Sequence, residues 1–265
     1  MQVVKSYPNN MFCWVDLATS DVPAAKEFFT GLFGWDYFDI PTDMGSHYSL
    51  CQIDGYNICG LSNLPPEMMA QNIPPVWSSY INHENVDAVI AKATAAGGTL
   101  AMEPMDVMES GRLAVLQDPT GAMISLWQPK EHIGAQLVNM PNAWVWSELQ
   151  TKDPDTASKF YQTVFDWGRD QDPNGYHLFK LGERMQAGML QMDESWGDIP
   201  PRWEVYFMTE DIEATAARAK ELGGVIHVPP TDTGTVGRFA VIGDPQGGGF
   251  TAMQFDGPVD PPPGY

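Results

Sequence analysis

The chain has 265 residues, 14 Lys+Arg against 34 Asp+Glu for a formal charge of −20, and 43% hydrophobic and 11% aromatic residues. This is about twice an ordinary domain, with enough apolar content for two cores. So acidic a chain repels phosphate backbones and anionic bilayers, which argues against nucleic acid or membrane partners.

No apolar run approaches the ~20 residues of a bilayer span, and MQVVKSYPNN has no apolar signal-peptide core. Cys13, Cys51 and Cys59 are widely spaced, without CxxC, and point to reduced thiols in a cytoplasmic setting.

Residues 11–17 predict a strand. Asp21 with Pro23 predicts a helix start, because the carboxylate caps free amides and proline is tolerated in the first turn. The helix runs to about Phe33 with Ala25, Phe28, Phe29 and Leu32 on one face, and Gly34 stops it. Strands follow at 35–40, 47–53 and 57–61, then a Pro-rich loop at 64–75. The same order then begins again: a strand at 77–81, a helix at 86–96, a Gly97-Gly98 stop and strands at 99–102, 113–117 and 122–127. Asp118-Pro119-Thr120-Gly121 is the turn between the last two. Residues 129–142 form a linker.

The second half repeats the first. WVDLATSDVPAAKEFFTGLFGW at 14–35 aligns without a gap on WSELQTKDPDTASKFYQTVFDW at 146–167, an offset of 132. Residues 77–128 align on 203–254 at an offset of 126, pairing Tyr80 with Tyr206, Gly97-Gly98 with Gly223-Gly224, Gly111-Arg112 with Gly237-Arg238 and Asp118-Pro119 with Asp244-Pro245. The fold expected is α+β: four β-α-β-β-β modules paired into two domains, 1–130 and 141–257. Two facing modules close a curved mixed sheet around a cleft that suits a small ligand. Pairing within each half is expected, with exchange across halves as the alternative. Residues 257–265 are Pro-rich and expected to be extended.

The order W-x-D/E-L, F-F/Y-x-x-x-F-x-W, Gly-Gly stop and G-R…D-P-x-G hairpin resembles the vicinal oxygen chelate superfamily. That superfamily includes glyoxalase I, bleomycin-resistance proteins, fosfomycin-resistance enzymes and extradiol dioxygenases. The subgroup it resembles is the two-domain glyoxalase-like one, which includes a mycobacterial secreted antigen of similar length. The resemblance implies a cup in each domain with metal ligands at four strand positions. Here these fall on Trp14, Ser125 and near Gly60 and Ser78 in the first half. In the second they fall on Trp146, Thr251 and near Gly188 and Glu204. Of these only Glu204 binds a divalent cation well, whereas Zn, Ni and Fe(II) sites need three or four ligands. The expectation is no metal and no other cofactor.

Residues i and i+2 share one face of a strand. The N-terminal cup is therefore expected to hold Trp14, Asp16, Ser78, Tyr80 and Ser125, and the C-terminal cup Trp146, Glu148, Glu204, Tyr206 and Thr251. Glu148 and Glu204, on facing strands, can form an acid/base pair. Alternatively, Asp16 and Glu148 bond backbone amides or the linker. Trp35, Trp167, Trp77 and Trp203 read as core, while Trp14 and Trp146 divide between core and ligand stacking. Arg112 and Arg238 either anchor an anion or pair with an acidic neighbour. His177 and His227 are surface or hydrogen-bonded residues, or a metal site with Glu148 or Glu204.

Three functions fit these residues. The first is a metal-free, glyoxalase/bleomycin-resistance-like protein, monomer or homodimer, holding a small aromatic or apolar ligand. The second is a lyase, isomerase or hydrolase working through Glu148 and Glu204, or a glyoxalase-like metalloenzyme with displaced ligands. The third is an interaction module without a small ligand. The C-terminal cup is expected to carry any selective role, because only it sets Glu204 opposite Glu148.

Overall fold

A computed structural model describes residues 2–42, 45–172, 174–234 and 236–263. The first half runs β1 (Phe12–Thr19), α1 (Val22–Phe33), β2 (Asp36–Pro41), β3 (His47–Ile53), β4 (Tyr56–Asn63), α2 (Pro66–Ala70), β5 (Val76–Asn82), α3 (Val86–Ala95), β6 (Thr99–Val107), β7 (Gly111–Gln117) and β8 (Met123–Pro129). The second runs β9 (Trp144–Thr151), α4 (Pro154–Phe165), β10 (Gly168–Gln171), β11 (His177–Leu181), β12 (Arg184–Gln191), β13 (Arg202–Met208), α5 (Ile212–Glu221), β14 (Val225–Asp232), β15 (Gly237–Gly243) and β16 (Gly249–Phe255).

Local chemistry sets the helix ends. Asp21 accepts from the Ala24 amide at 3.0 Å and caps α1, and Asp153 does the same for α4 through Thr156 at 3.1 Å. Gly34 ends α1 in the left-handed region at φ 73°, while Asp166 takes that conformation after α4 at φ 57°. Two elements depart from the expected pattern. The Pro-rich loop contains the short helix α2, which begins at Pro66 because proline suits a first turn. Strand β6 continues to Val107, five residues past its expected end. Its pairing with β7 shifts register twice, and these shifts break the period-2 pattern a sequence reading relies on.

Each half forms one mixed eight-stranded sheet, in the orders β2-β3-β4-β1-β5-β8-β7-β6 and β10-β11-β12-β9-β13-β16-β15-β14. The modules join through the antiparallel pairs β1–β5 and β9–β13, both within a half. The sheets are open, and one face of each is curved into a cup.

The opposite faces share one core. Helix α1 packs on α5, and α3 on α4. Phe29 and Phe33 of α1 meet Phe250, and Phe33 and Trp35 meet Phe207; Phe12 meets Trp167 and Trp203. Two reciprocal bonds tie the halves: Trp35 Nε1 donates to the Asn142 carbonyl at 2.8 Å, and Trp167 Nε1 to the Asn10 carbonyl at 2.7 Å. Trp77 and Trp203 are also buried here, so all four tryptophans expected in the core lie there. The cysteines are free and buried. No helix among the described residues is long and apolar enough to cross a membrane.

Candidate functional site

Strand register assembles the two cups. In the first half Asp16 stands opposite Ser78 and Gly60, Trp14 opposite Tyr80, and Tyr80 beside Ser125. In the second half Glu148 stands opposite Glu204 and Gly188, Trp146 opposite Tyr206, and Tyr206 beside Thr251. The ten residues expected in the cups thus occupy adjoining strand positions, five in each.

Among the described residues no backbone amide and no linker group bonds Asp16 or Glu148, the alternative raised above. Both carboxylates are held by tyrosine hydroxyls. Tyr48 and Tyr80 both donate to Asp16 Oδ2, at 2.9 and 2.8 Å, and Trp14 Nε1 donates to Tyr48 Oη at 2.8 Å. In the other cup Tyr176 donates to Glu148 Oε2 at 2.6 Å, Gln150 Nε2 donates to Oε1 at 3.2 Å, and Trp146 Nε1 lies 3.4 Å from Tyr176 Oη. A phenol donates where an amide would because the cup face of a strand presents side chains, while its backbone groups are spent on the ladder.

Tyr48 and Tyr176 are missing from the sequence-derived site. The signal for them was their recurrence at equivalent places together with Gly60 and Gly188. A Cβ at either glycine would collide with the tyrosine hydroxyl, so the glycine is what admits the ring.

Burial governs the protonation of these groups. It pushes the Asp16 carboxyl up to about 6, against the hydrogen bonds from Tyr80, Tyr48 and Ser78. Glu148 is raised by burial, opposed by its bonds to Tyr176, Gln150 and Tyr206 and reinforced by repulsion from Glu204. Glu204 is also raised by burial, against Arg202, 3.3 Å away, and Thr251, whose hydroxyl donates to Oε1 at 3.1 Å. Tyr48, Tyr80, Tyr176 and Tyr206 are all pushed up, first by burial and then by the adjacent carboxylate. They stay protonated and remain donors.

The cups differ in what covers them. The linker crosses the first: the His132 ring meets Trp14 edge to face at 4.5 Å, its carbonyl accepts from Trp127 Nε1 at 2.8 Å, and burial lowers its pKa to about 4. The second cup contains a cavity of about 970 Å³. Trp146, Glu148, Tyr176, Tyr206 and Thr251 line it with Leu178, Leu190, Val228, Phe239 and Met253. Glu204 is not among the lining residues; it lies buried behind Thr251. Residues 256–260 and Pro263 run over this cavity where the linker covers the other cup. Arg184 donates to the Pro261 carbonyl at 2.7 Å, and Asn139 to that of Asp260 at 2.9 Å.

The four implied ligand positions of the C-terminal cup present an indole, a glycine, a carboxylate and a hydroxyl, with Tyr176 Oη filling the space at Gly188. This donor set does not fit a transition metal held by three protein ligands. Among the described residues no three His, Cys, Asp or Glu side chains converge on a point. His177 lies against the Arg169 guanidinium at 3.3 Å, away from Glu148, which removes it from the metal site considered above. Arg112 pairs with Asp87 at 3.2 Å and Arg238 with Glu213 at 2.7 Å, so both are engaged in ion pairs.

The family model of the Glyoxalase/Bleomycin resistance protein/Dioxygenase superfamily matches residues 12–126 and 143–250. A Mycobacterium tuberculosis protein named "Putative glyoxylase CFP32" is 39% identical over 246 residues, covering 91% of this chain and 93% of its own length. The anthracycline biosynthesis protein DauV of Streptomyces sp. (strain C5) is 32% identical over 258 residues, covering 91% and 92%. Among solved structures, the Mn(II)-bound glyoxalase from Novosphingobium aromaticivorans superposes with a TM-score of 0.65 at 17% identity, covering 95% of this chain and 84% of its own. The 2,3-dioxygenase LapB from Pseudomonas sp. KL28 does so at 0.66 and 14%, covering 96% and 94%. The repeated modules, their pairing into two open curved sheets and the match over both halves agree: the chain belongs to the Glyoxalase/Bleomycin resistance protein/Dioxygenase superfamily.

Proposed function

We propose that this protein binds a small aromatic or otherwise apolar molecule in its C-terminal cup, without a resident metal. The observation that carries this reading is the 970 Å³ cavity, at the upper end of small-molecule sites, whose apolar walls surround a few convergent polar groups. Trp146 and Tyr206 line it and supply aromatic rings on which a flat ligand can pack. The name of DauV, taken from anthracycline biosynthesis, is in keeping with an aromatic ligand. Three buried free thiols suit a reducing compartment such as the cytoplasm.

A lyase or isomerase activity is the second reading, and one observation favours it. Glu148 reaches the cavity, and burial raises its carboxyl toward the range where it exchanges a proton with a ligand. In that case Glu204 acts through Glu148, by repulsion across the strand pair.

The test is titration of tryptophan fluorescence with 2-hydroxyanthraquinone. Trp146→Phe and Glu148→Gln are expected to weaken binding about tenfold each, the scale of one well-placed contact. Glu204→Gln should have a smaller effect and Trp14→Phe none. Loss of binding in Trp14→Phe, with the C-terminal variants intact, would assign the site to the wrong cup.

A further inference from the structure

Two amides in the C-terminal cup each leave one buried atom without a partner among the described residues. Gln186 on β12 and Gln150 on β9 are 7% and 6% exposed, and both line the cavity. Among the described residues, Nε2 of Gln186 donates to nothing and Oε1 of Gln150 accepts from nothing. Burying a polar atom unpaired costs stability, and native chains rarely tolerate it without a reason. The repeat shows that the fold needs neither residue. The counterpart of Gln186 is Ile58, fully buried, and that of Gln150 is Ala18. The half with His132 set into its cup fills these positions with apolar groups; the half with the cavity fills them with amides that each leave one polar atom unpaired.

We propose that Gln186 and Gln150 are ligand-recognition residues for a fused-ring aromatic bearing oxygen substituents. A ring carbonyl accepts from Gln186 Nε2, and a ring hydroxyl donates to Gln150 Oε1. This rests on the reading of the cup as a small-molecule site. The parallel register pairs Gly188 with Glu148 and Leu190 with Gln150, so Gln186 stands alongside Trp146. The two amides are therefore four residues apart along adjacent strands, about 13 Å between backbones. A ligand meeting both spans more than one ring, and the cavity has room for it. Trp146 and Glu148 lie along that span, which sets the ring system against the indole.

Three probes of one shape separate the contributions: anthracene, anthraquinone and 2-hydroxyanthraquinone. They are titrated by tryptophan fluorescence against the unaltered protein, Gln186→Ile and Gln150→Ala, each variant copying its first-half counterpart. In the unaltered protein affinity is expected to rise about five- to tenfold at each step, the scale of one hydrogen bond. Gln186→Ile should abolish the gain from the carbonyls and Gln150→Ala that from the hydroxyl. Gln186→Ile should melt at an equal or higher temperature, since it removes an unpaired buried donor, whereas Gln150→Ala also removes the bond to Glu148 Oε1 and carries no such expectation. Equal affinity for the three probes, or steps that survive both substitutions, overturns the proposal while leaving the cup an apolar binding site. Failure of all three to bind overturns the small-molecule reading and this one with it. The probe series on unaltered protein decides the matter even if a variant does not fold.

Discussion

Tyr161→Phe is expected to destabilise the protein by about 2–4 kcal/mol, and Phe29→Tyr to stabilise it by about 1–2 kcal/mol, the range for orphaning or satisfying buried hydrogen-bonding groups. Tyr161 and Phe29 are counterparts in the repeat. In the inter-half core Tyr161 Oη donates to Asp118 Oδ2 at 3.0 Å and accepts from Trp203 Nε1 at 2.9 Å. The equivalent set on the other side is Phe29, Asp244 and Trp77. There Asp244 Oδ2 and Trp77 Nε1 are both buried with no partner among the described residues. The Phe29 ring meets Trp77 at 81°, much as Tyr161 meets Trp203 at 90°, so a hydroxyl added to Phe29 points where the first one does. Urea unfolding of the two variants checks both signs. A Phe29→Tyr protein less stable than its parent would show that this side of the core lacks room for the oxygen.

Asp16→Asn is expected to remove a pH-dependent cost of about 3 kcal/mol at neutral pH, taking 1.36 kcal/mol per pKa unit. The carboxyl is held at about 6 in the folded protein against an ordinary value of 3.8. A folded-state pKa that is raised favours the protonated form. The resulting stability is present in full below about 3.8 and is lost as pH rises through about 6. Glu148, Glu204 and Asp244 are raised as well and act in the same direction, whereas His132, lowered by burial to about 4, gains stability as pH rises over the same range, so the parent's net slope mixes the two signs. The variant isolates the share of Asp16. Relative to the parent it should gain stability between pH 4 and 7 and change little above that. Unfolding free energies measured across this range check it; a difference between the two proteins that does not vary with pH would contradict it.

Much of the fold was legible because the repeat supplied an internal alignment. Trp14 to Trp35 against Trp146 to Trp167 gave the module boundaries, and the Gly-Gly stops gave the second helices. The ligand positions implied by the resemblance, extended by strand alternation to Asp16, Tyr80, Glu148 and Tyr206, gave five side chains for each cup, and the register carries them to adjoining positions. Three things were harder to read. Tyr48 and Tyr176 complete the carboxylate clusters from strand ends distant in sequence, and only the glycines facing them hint at the packing. Gln186 and Gln150 break the repeat, and a departure from a repeat has no meaning until burial shows that one polar atom of each is unpaired. The contrast between the cups is set by the segments that cover them, His132 in one case and residues 256–263 in the other, and neither segment follows a period that sequence analysis detects.

The most direct test combines binding and metal content in one preparation. Protein purified without chelators or metal-affinity resin is analysed for Zn, Ni, Mn and Fe, then titrated with 2-hydroxyanthraquinone before and after exposure to EDTA. The proposed metal-free C-terminal cup predicts substoichiometric metal and a single ligand site per chain. It also predicts an affinity unchanged by EDTA and lowered by Trp146→Phe. Stoichiometric metal, lost in Glu204→Ala together with ligand binding, would contradict it.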